Sequence, residues 1–295
     1  MSSSRLASGR SASSRTSATR GAGGAVRRLS PLGLVAPALT LYGVLLVGPL
    51  GLLVHQSFAA GGNSLTLSHY RALLSESFAF SLIETFKISI IATLAATLLG
   101  YLVAFYLIRR CSPRMRNVWL NIIVSILFLS LLIRIYALLL TFGTGPFMQF
   151  VTGLFNTSPT SRTMTEMLVV LGLLNFTIPL VILSLLGPIE NIDPKLTEAA
   201  QSLGAAYWKA FFTIDLKLSL ASIVLAGITT FSLCISAFLI PMVLGRGFVN
   251  FVANLVYVRF QEVFDPGTGA AMAVALLLIT LLVIYGVQRV ATSRG

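Results

Sequence analysis

The residue types that most often carry chemistry are scarce in this chain and badly spaced for it. His55 and His69 are its only histidines, and neither has a cysteine nearby, which argues against a zinc site. Cys111 and Cys234 lie too far apart for a C-x-x-C redox pair, and two cysteines do not make a disulfide framework. No glycine is followed directly by lysine, so the G-x-x-x-x-G-K-[ST] loop that cradles nucleotide phosphates is absent. The sequence thus offers no catalytic residue, no metal ligand set and no cofactor motif. The informative spacing lies in residues 189–218. Asp193 is a good N-cap and Pro194 suits a first helical position. Leu196, Ala199, Ala200 and Leu203 recur at helical spacing as one small apolar face, and Gly204 follows where a left-handed C-cap needs no side chain. This predicts a short amphipathic helix, a turn, and a second helix starting near Ala205. Such a helix is a handle for another protein or a surface helix at the lipid interface. The sparse lysine and arginine on its polar face disfavour the second.

The elements that must carry this loop follow from composition. Hydrophobic residues make up 56% of the 295 and charged residues only 10%, far too little charge to cover a water-soluble globule. Six continuously apolar stretches, near 32–54, 85–108, 118–142, 167–188, 219–244 and 270–288, are long enough to cross a hydrocarbon layer. Each is expected to be helical, because backbone groups in lipid must be paired within the segment. Pro49, Pro179 and Pro241 are expected to interrupt spans one, four and five. Of the 21 Lys and Arg, 15 fall in residues 1–28, 109–117, 189–218 and the C-terminal segment, against 4 in the remaining connections. That asymmetry places both termini and the 189–218 loop in the cytoplasm. The net charge of +12 is therefore read as topological, with no nucleic-acid partner. Residues 1–30, rich in Ser, Gly and Arg and free of acids, are expected to be a disordered basic cytoplasmic tail. A transit peptide or a twin-arginine signal around Arg27–Arg28 are the other readings of that composition.

At the 189–218 loop the sequence resembles the inner-membrane permease subunits of ABC importers, whose pattern is E-A-A, three residues, G, nine residues, I-x-L-P. Here it reads Glu198-Ala199-Ala200, then Gly204, then Ile214-Asp215-Leu216, with Lys217 where the family usually has proline. Leu131-Leu132-Ile133-Arg134-Ile135-Tyr136-Ala137, Gly143 and Gly145, and the Ser236–Pro241 and Leu244-Gly245 segments look like spermidine/putrescine-type permeases. The resemblance covers roughly residues 30–290. It implies an all-α, six-span, type I importer permease bundle over residues 31–295, with a cytoplasmic coupling helix in the bacterial inner membrane. It also implies ATPase coupling through Glu198, Ala199, Ala200, Gly204, Ile214 and Leu216. The implied partners are cytoplasmic ATPase subunits that carry the hydrolysis, a second, related permease subunit, an extracytoplasmic solute-binding protein and membrane lipid. The implied solute is a polyamine, with iron or an organic ion as the alternative. A stand-alone secondary transporter is the rival class, but no internal repeat and no acid deep in a span supports it.

Charged side chains near spans are costly and often functional. Lys87 lies 22 residues before Arg109, about 33 Å along a helix, and Arg134 lies 18 residues beyond Arg116, about 27 Å if the span is straight. Both belong near the outer interface. Glu84 and Glu166 sit at the outer starts of spans two and four, where exposed acids would attract a cationic solute, and Tyr136 is the nearest aromatic of the family-like segment. The plainer reading pairs Glu84 with Lys87 at i,i+3 and leaves Glu166 as a solvated helix end. Phe142 and Phe176 offer cation–π faces or simple packing.

The expected topology is testable by labelling. Single cysteines replacing Ser4 or Arg294 should resist an impermeant thiol reagent in intact cells, whereas one replacing Ser158 should react. Outside labelling of either terminus overturns the assignment.

Overall fold

The computed structural model of the chain describes residues 31–60, 64–143, 153 and 161–292. The basic tail, Gly145, Ser158 and Arg294 lie outside the described residues. The chain divides between Pro49 and Leu50 into two units, and the helix α1 (Pro31–Phe58) runs across that boundary.

In the second unit a two-residue antiparallel pair, β1 (Ala59–Ala60) with β2 (Ser64–Leu65), leads through a 3-10 segment to α2 (Glu76–Arg109). Then come α3 (Pro113–Phe128), α4 (Leu131–Leu138), α5 (Arg162–Glu190), α6 (Pro194–Ser202), α7 (Tyr207–Ala210), α8 (Leu216–Ser236), α9 (Leu239–Leu244), α10 (Val252–Gln261) and α11 (Pro266–Thr292). Wide π turns extend α4 over Leu139–Gly143 and join α7 to α8 over Phe211–Asp215. Short polar side chains start the long helices. Ser75, Ser112 and Ser161 accept from the backbone N–H groups of Phe78 (3.3 Å), Met115 (3.5 Å) and Met164 (3.4 Å).

Among the described residues, five helices are long and apolar enough to cross a bilayer, and the α3–α4 pair makes a sixth if counted as one span. The chain is an all-α membrane protein, with three corrections to the expected spans. Span three is not one straight helix over 118–142. It bends by 92° between α3 and α4, where Leu129 is extended and Ser130 leaves the helical region. The 27 Å estimate for Arg134 assumed a straight span and falls with it. Span five does not run to Leu244. It ends at Ser236, Ala237 is extended, and α9 begins afresh. Pro241 therefore does not kink a span. It sits in the first turn of α9, where its missing N–H would have had no helical acceptor. The third difference is α10, a helix not expected between spans five and six. Its start is bonded to α2: the Asn250 N–H donates to the Glu84 carboxylate (3.3 Å) and the Val252 N–H to Thr85 Oγ1 (3.0 Å). Asn254 closes the same turn by accepting from the Phe251 N–H (3.2 Å) and donating to the Phe238 carbonyl (2.9 Å). Pro179 is the reverse case, since α5 continues past it without a break and buries it.

α2 is the spine of this unit. Ala92, Ala96, Gly100 and Ala104 recur every fourth residue, and all four are buried. In lipid, apolar helices gain no hydrophobic driving force from each other, and small residues let backbones come close enough for dispersion to hold them. Along this strip α2 makes its most extensive contact, with α5, where Val181, Ile182, Leu185 and Ile189 complete a buried cluster. The approach is tight. A Cβ added to Gly100 would lie 2.5 Å from Val181 Cγ1 and 2.9 Å from Val181 Cβ, a branched side chain that cannot swing away.

Gly100→Ala should therefore lower the stability of the purified protein by about 1–3 kcal/mol, and Val181→Ala in the same chain should recover part of the loss. Thermal unfolding in detergent reads both. An unperturbed Gly100→Ala protein contradicts the close approach.

Candidate functional site

Two polar assemblies stand at opposite ends of α2. The first surrounds the 189–218 loop. Asp193 caps α6 by accepting from the Lys195 N–H at 3.0 Å, and Pro194 occupies the first turn, as expected. At the other end Gly204 has φ +88°. Its N–H donates to the Gln201 carbonyl (2.9 Å) and that of Ala205 to the Ala200 carbonyl (3.0 Å). This paired arrangement is a Schellman turn, whose left-handed residue is glycine for steric reasons. The apolar face of α6 points outward: Leu203 is 90% exposed and Leu196 50%. Glu198 and Ala199 are also exposed and Ala200 half-buried, and Trp208 and Phe212 further along the chain are exposed as well.

What anchors this loop is a buried ion pair that the sequence reading missed. Asp215, the unassigned x of the I-x-L pattern, has a side chain only 3% exposed. Its Oδ1 accepts from Arg109 Nη2 (2.9 Å) and its Oδ2 from Thr197 Oγ1 of α6 (3.0 Å). The same Arg109 nitrogen donates to the Ile192 carbonyl (3.1 Å), just before the α6 cap. Ser219 Oγ donates to the Asp215 carbonyl (2.7 Å) and lies in hydrogen-bond contact with the Tyr101 hydroxyl (3.1 Å). Tyr101, Phe105 and Phe211, from the same helix ends as the pair, form a buried aromatic cluster with Phe105 and Phe211 edge-on at 4.8 Å. Arg109 had been counted only as a topological charge. The available signal was that Asp215 is the sole acid between Glu198 and Glu262, and a charge among apolar residues needs a partner. Ile214 and Leu216 are half-buried beside the pair, and Lys217 is exposed on an uninterrupted α8 in place of the expected proline.

At the opposite end, Glu84 is not the exposed acid expected, and its partner is not Lys87. Its side chain is 3% exposed and accepts from Arg162 Nη2 at 2.6 Å. Lys87 instead reaches Glu166, whose other oxygen accepts from Arg162 Nε at 3.1 Å. Glu166 is thus half-buried and paired on both oxygens, not a solvated helix end. The i,i+3 rule failed because tertiary packing brings α5 closer to Lys87 than its own helix neighbour. The structure joins Glu84 to Glu166 through Arg162, which also lies 4.7 Å above the Phe80 ring. Tyr136 stands apart from them on α4, 54% exposed. Arg134 is buried, lies 5.9 Å from the centre of the Phe176 ring, and so already occupies one of the expected cation–π faces. Among the described residues no group of histidines, cysteines and acids could hold a metal ion.

No protein-family model matches the chain. Its sequence is similar to the spermidine/putrescine transport system permease protein PotB of Haemophilus influenzae strain Rd, 28% identical over 230 residues that cover 75% of this chain and 78% of that protein. Its fold is similar to a solved bacterial ABC transporter involved in the import of the acidic polysaccharide alginate, with TM-score 0.70, 15% identity, and coverage of 88% of this chain and 94% of that one. A second alginate ABC transporter structure, in complex with an alginate pentasaccharide-bound periplasmic protein, gives TM-score 0.68 at 17% identity over 86% and 91% of the two chains. The fold is that of an ABC importer permease, as the E-A-A spacing implied.

The turn after α6 makes a local prediction. Nothing lies within 4 Å of a side chain added at Gly204, so only its backbone conformation is at stake. Gly204→Val should cost about 1–2 kcal/mol and raise amide exchange of Gly204 and Ala205 roughly 5- to 30-fold, whereas Gly204→Asn should keep most protection. Equal exchange in the two variants contradicts the strained turn.

Proposed function

We propose that this chain is the permease subunit of an ATP-driven importer that passes a polyamine such as spermidine or putrescine from an extracytoplasmic binding protein to the cytoplasm. The observation that carries the importer reading is the exposed helix α6. Its apolar face is open while its frame is anchored on a buried ion pair, which suits a helix that another protein grips and pushes. Glu198, Ala199, Ala200 and Gly204 present the gripped surface, and Ile214 and Leu216 seat the return helix. The missing phosphate-binding loop leaves ATP hydrolysis to separate cytoplasmic subunits. A related second permease encloses the path with this one. Both termini lie in the cytoplasm, with residues 1–30 as a basic tail and 31–295 as the permease domain.

The choice of solute rests on the PotB likeness, since the solved neighbours carry an acidic polysaccharide and share only the fold. The described geometry refines how acids would serve a cation. Glu84 and Glu166 are held by Arg162 and Lys87 in a cluster of two acids and two bases, so an arriving ammonium group exchanges for one of those bases instead of meeting a bare carboxylate. Tyr136, exposed on α4, is free to offer a ring face to the same solute.

Reconstitution of the whole complex tests both levels. Glu198→Arg should weaken recovery of the ATPase subunits without affecting membrane insertion. Glu166→Gln should lower polyamine uptake several-fold and leave assembly intact. ATP hydrolysis stimulated by another solute, with none stimulated by polyamine, defeats the polyamine reading. Transport by this chain alone defeats the importer reading.

A further inference from the structure

We infer that Arg109, Asp215 and Thr197 form the joint through which the coupling helix moves the transmembrane helices, an inference that rests on the importer reading above. Among the described residues, no side chain of α6 is buried, so packing does not fix this helix to the bundle. Two bonds do. Thr197 Oγ1, from the middle of α6, donates to Asp215 Oδ2 at 3.0 Å, and the Ile192 carbonyl, at its entrance, accepts from Arg109 Nη2 at 3.1 Å. Both bonds end on one ion pair, Arg109 to Asp215 at 2.9 Å, whose side chains are 15% and 3% exposed.

The partners of that pair belong to two long helices. Arg109 is the last residue of α2, and Asp215 immediately precedes α8. Three segments far apart in sequence therefore converge on one carboxylate. Asp215 is itself prevented from turning, because Ser219 holds its carbonyl at 2.7 Å and reaches Tyr101 of α2 at 3.1 Å. Charge-assisted bonds shielded from water are stronger and more directional than apolar contacts, which can slide. A displacement of α6 thus reaches α2 and α8 as a single rigid movement. Thr197 is a positioning residue: it acts on the path through Asp215 and touches neither nucleotide nor solute.

The test uses the complete importer in proteoliposomes, with its ATPase subunits, paired permease and binding protein, and records solute accumulated per ATP hydrolysed. Thr197→Val keeps the shape and removes the hydroxyl. It should retain the ATPase subunits and basal hydrolysis, yet lower solute per ATP about fivefold or more, as expected for losing a hydrogen bond to a buried charge. Thr197→Ser should restore the yield. Arg109→Lys provides a second variant, since a lysine keeps the charge but ends one bond short of Nη2, the single nitrogen that reaches both Asp215 and Ile192. It too should lower the yield per ATP. Spin labels on α6 and the start of α8 should keep one separation with and without ATP in the unmodified complex and two separations in Thr197→Val. A wild-type yield in Thr197→Val overturns the joint, and so does loss of the ATPase subunits, which would make Thr197 a docking contact. A wild-type chain that binds no ATPase overturns the importer reading itself, and does so before any substitution is compared.

Discussion

Helices in lipid gain nothing by hiding apolar side chains from one another, so this bundle depends on how closely α2 can approach its neighbours. The strip Ala92, Ala96, Gly100 and Ala104 makes that approach possible, and the Val181 side chain fills the space left at Gly100. Other elements of the second unit build on the resulting α2–α5–α8 contact. The bent α3–α4 pair packs on α5, and α10 takes the hydrogen bonds for its first turn from Glu84 and Thr85 of α2.

The same helix carries a polar anchor at each end. Arg109 binds Asp215 at the end with the exposed loop helix, and Glu84 and Lys87 bind Arg162 and Glu166 at the other. The two differ in exposure. Asp215 and Glu84 are both buried, but Lys87 and Arg162 are about half exposed while Arg109 is largely enclosed. Solvent and salt therefore weaken the bonds at the Arg162 end, and the Arg109 end is insulated from both. The contrast suits the importer proposed above, in which the half-exposed end would exchange its charges with a solute and the insulated end would transmit a push. The exposed apolar side chains of Leu196 and Leu203 belong to the loop helix tied to the insulated end.

Much of this was legible in the sequence because it depends on local chemistry or on totals. The helical class follows from the length of the apolar runs, since a backbone in hydrocarbon has no other way to pair its polar groups. The α6 cap, its outward-facing apolar residues and the left-handed Gly204 follow from residues within twelve positions of one another. The E-A-A spacing then named the fold. Tertiary structure alone decided the rest, because it depends on which distant segments meet. A continuous apolar run looks the same straight or bent by 92°, so nothing at Leu129 and Ser130 announced the break between α3 and α4. Pro241 looked like a kink and proved to be a helix start, because Ala237 had already left the previous helix. The ion-pair partners were invisible for the same reason. Lys87 chose Glu166, 79 residues away, over Glu84 on its own helix, and Arg109 found Asp215 at a separation of 106. A charge in a low-dielectric surrounding takes whichever opposite charge packing brings nearest, and packing is a property of the folded chain, not of the order of its residues.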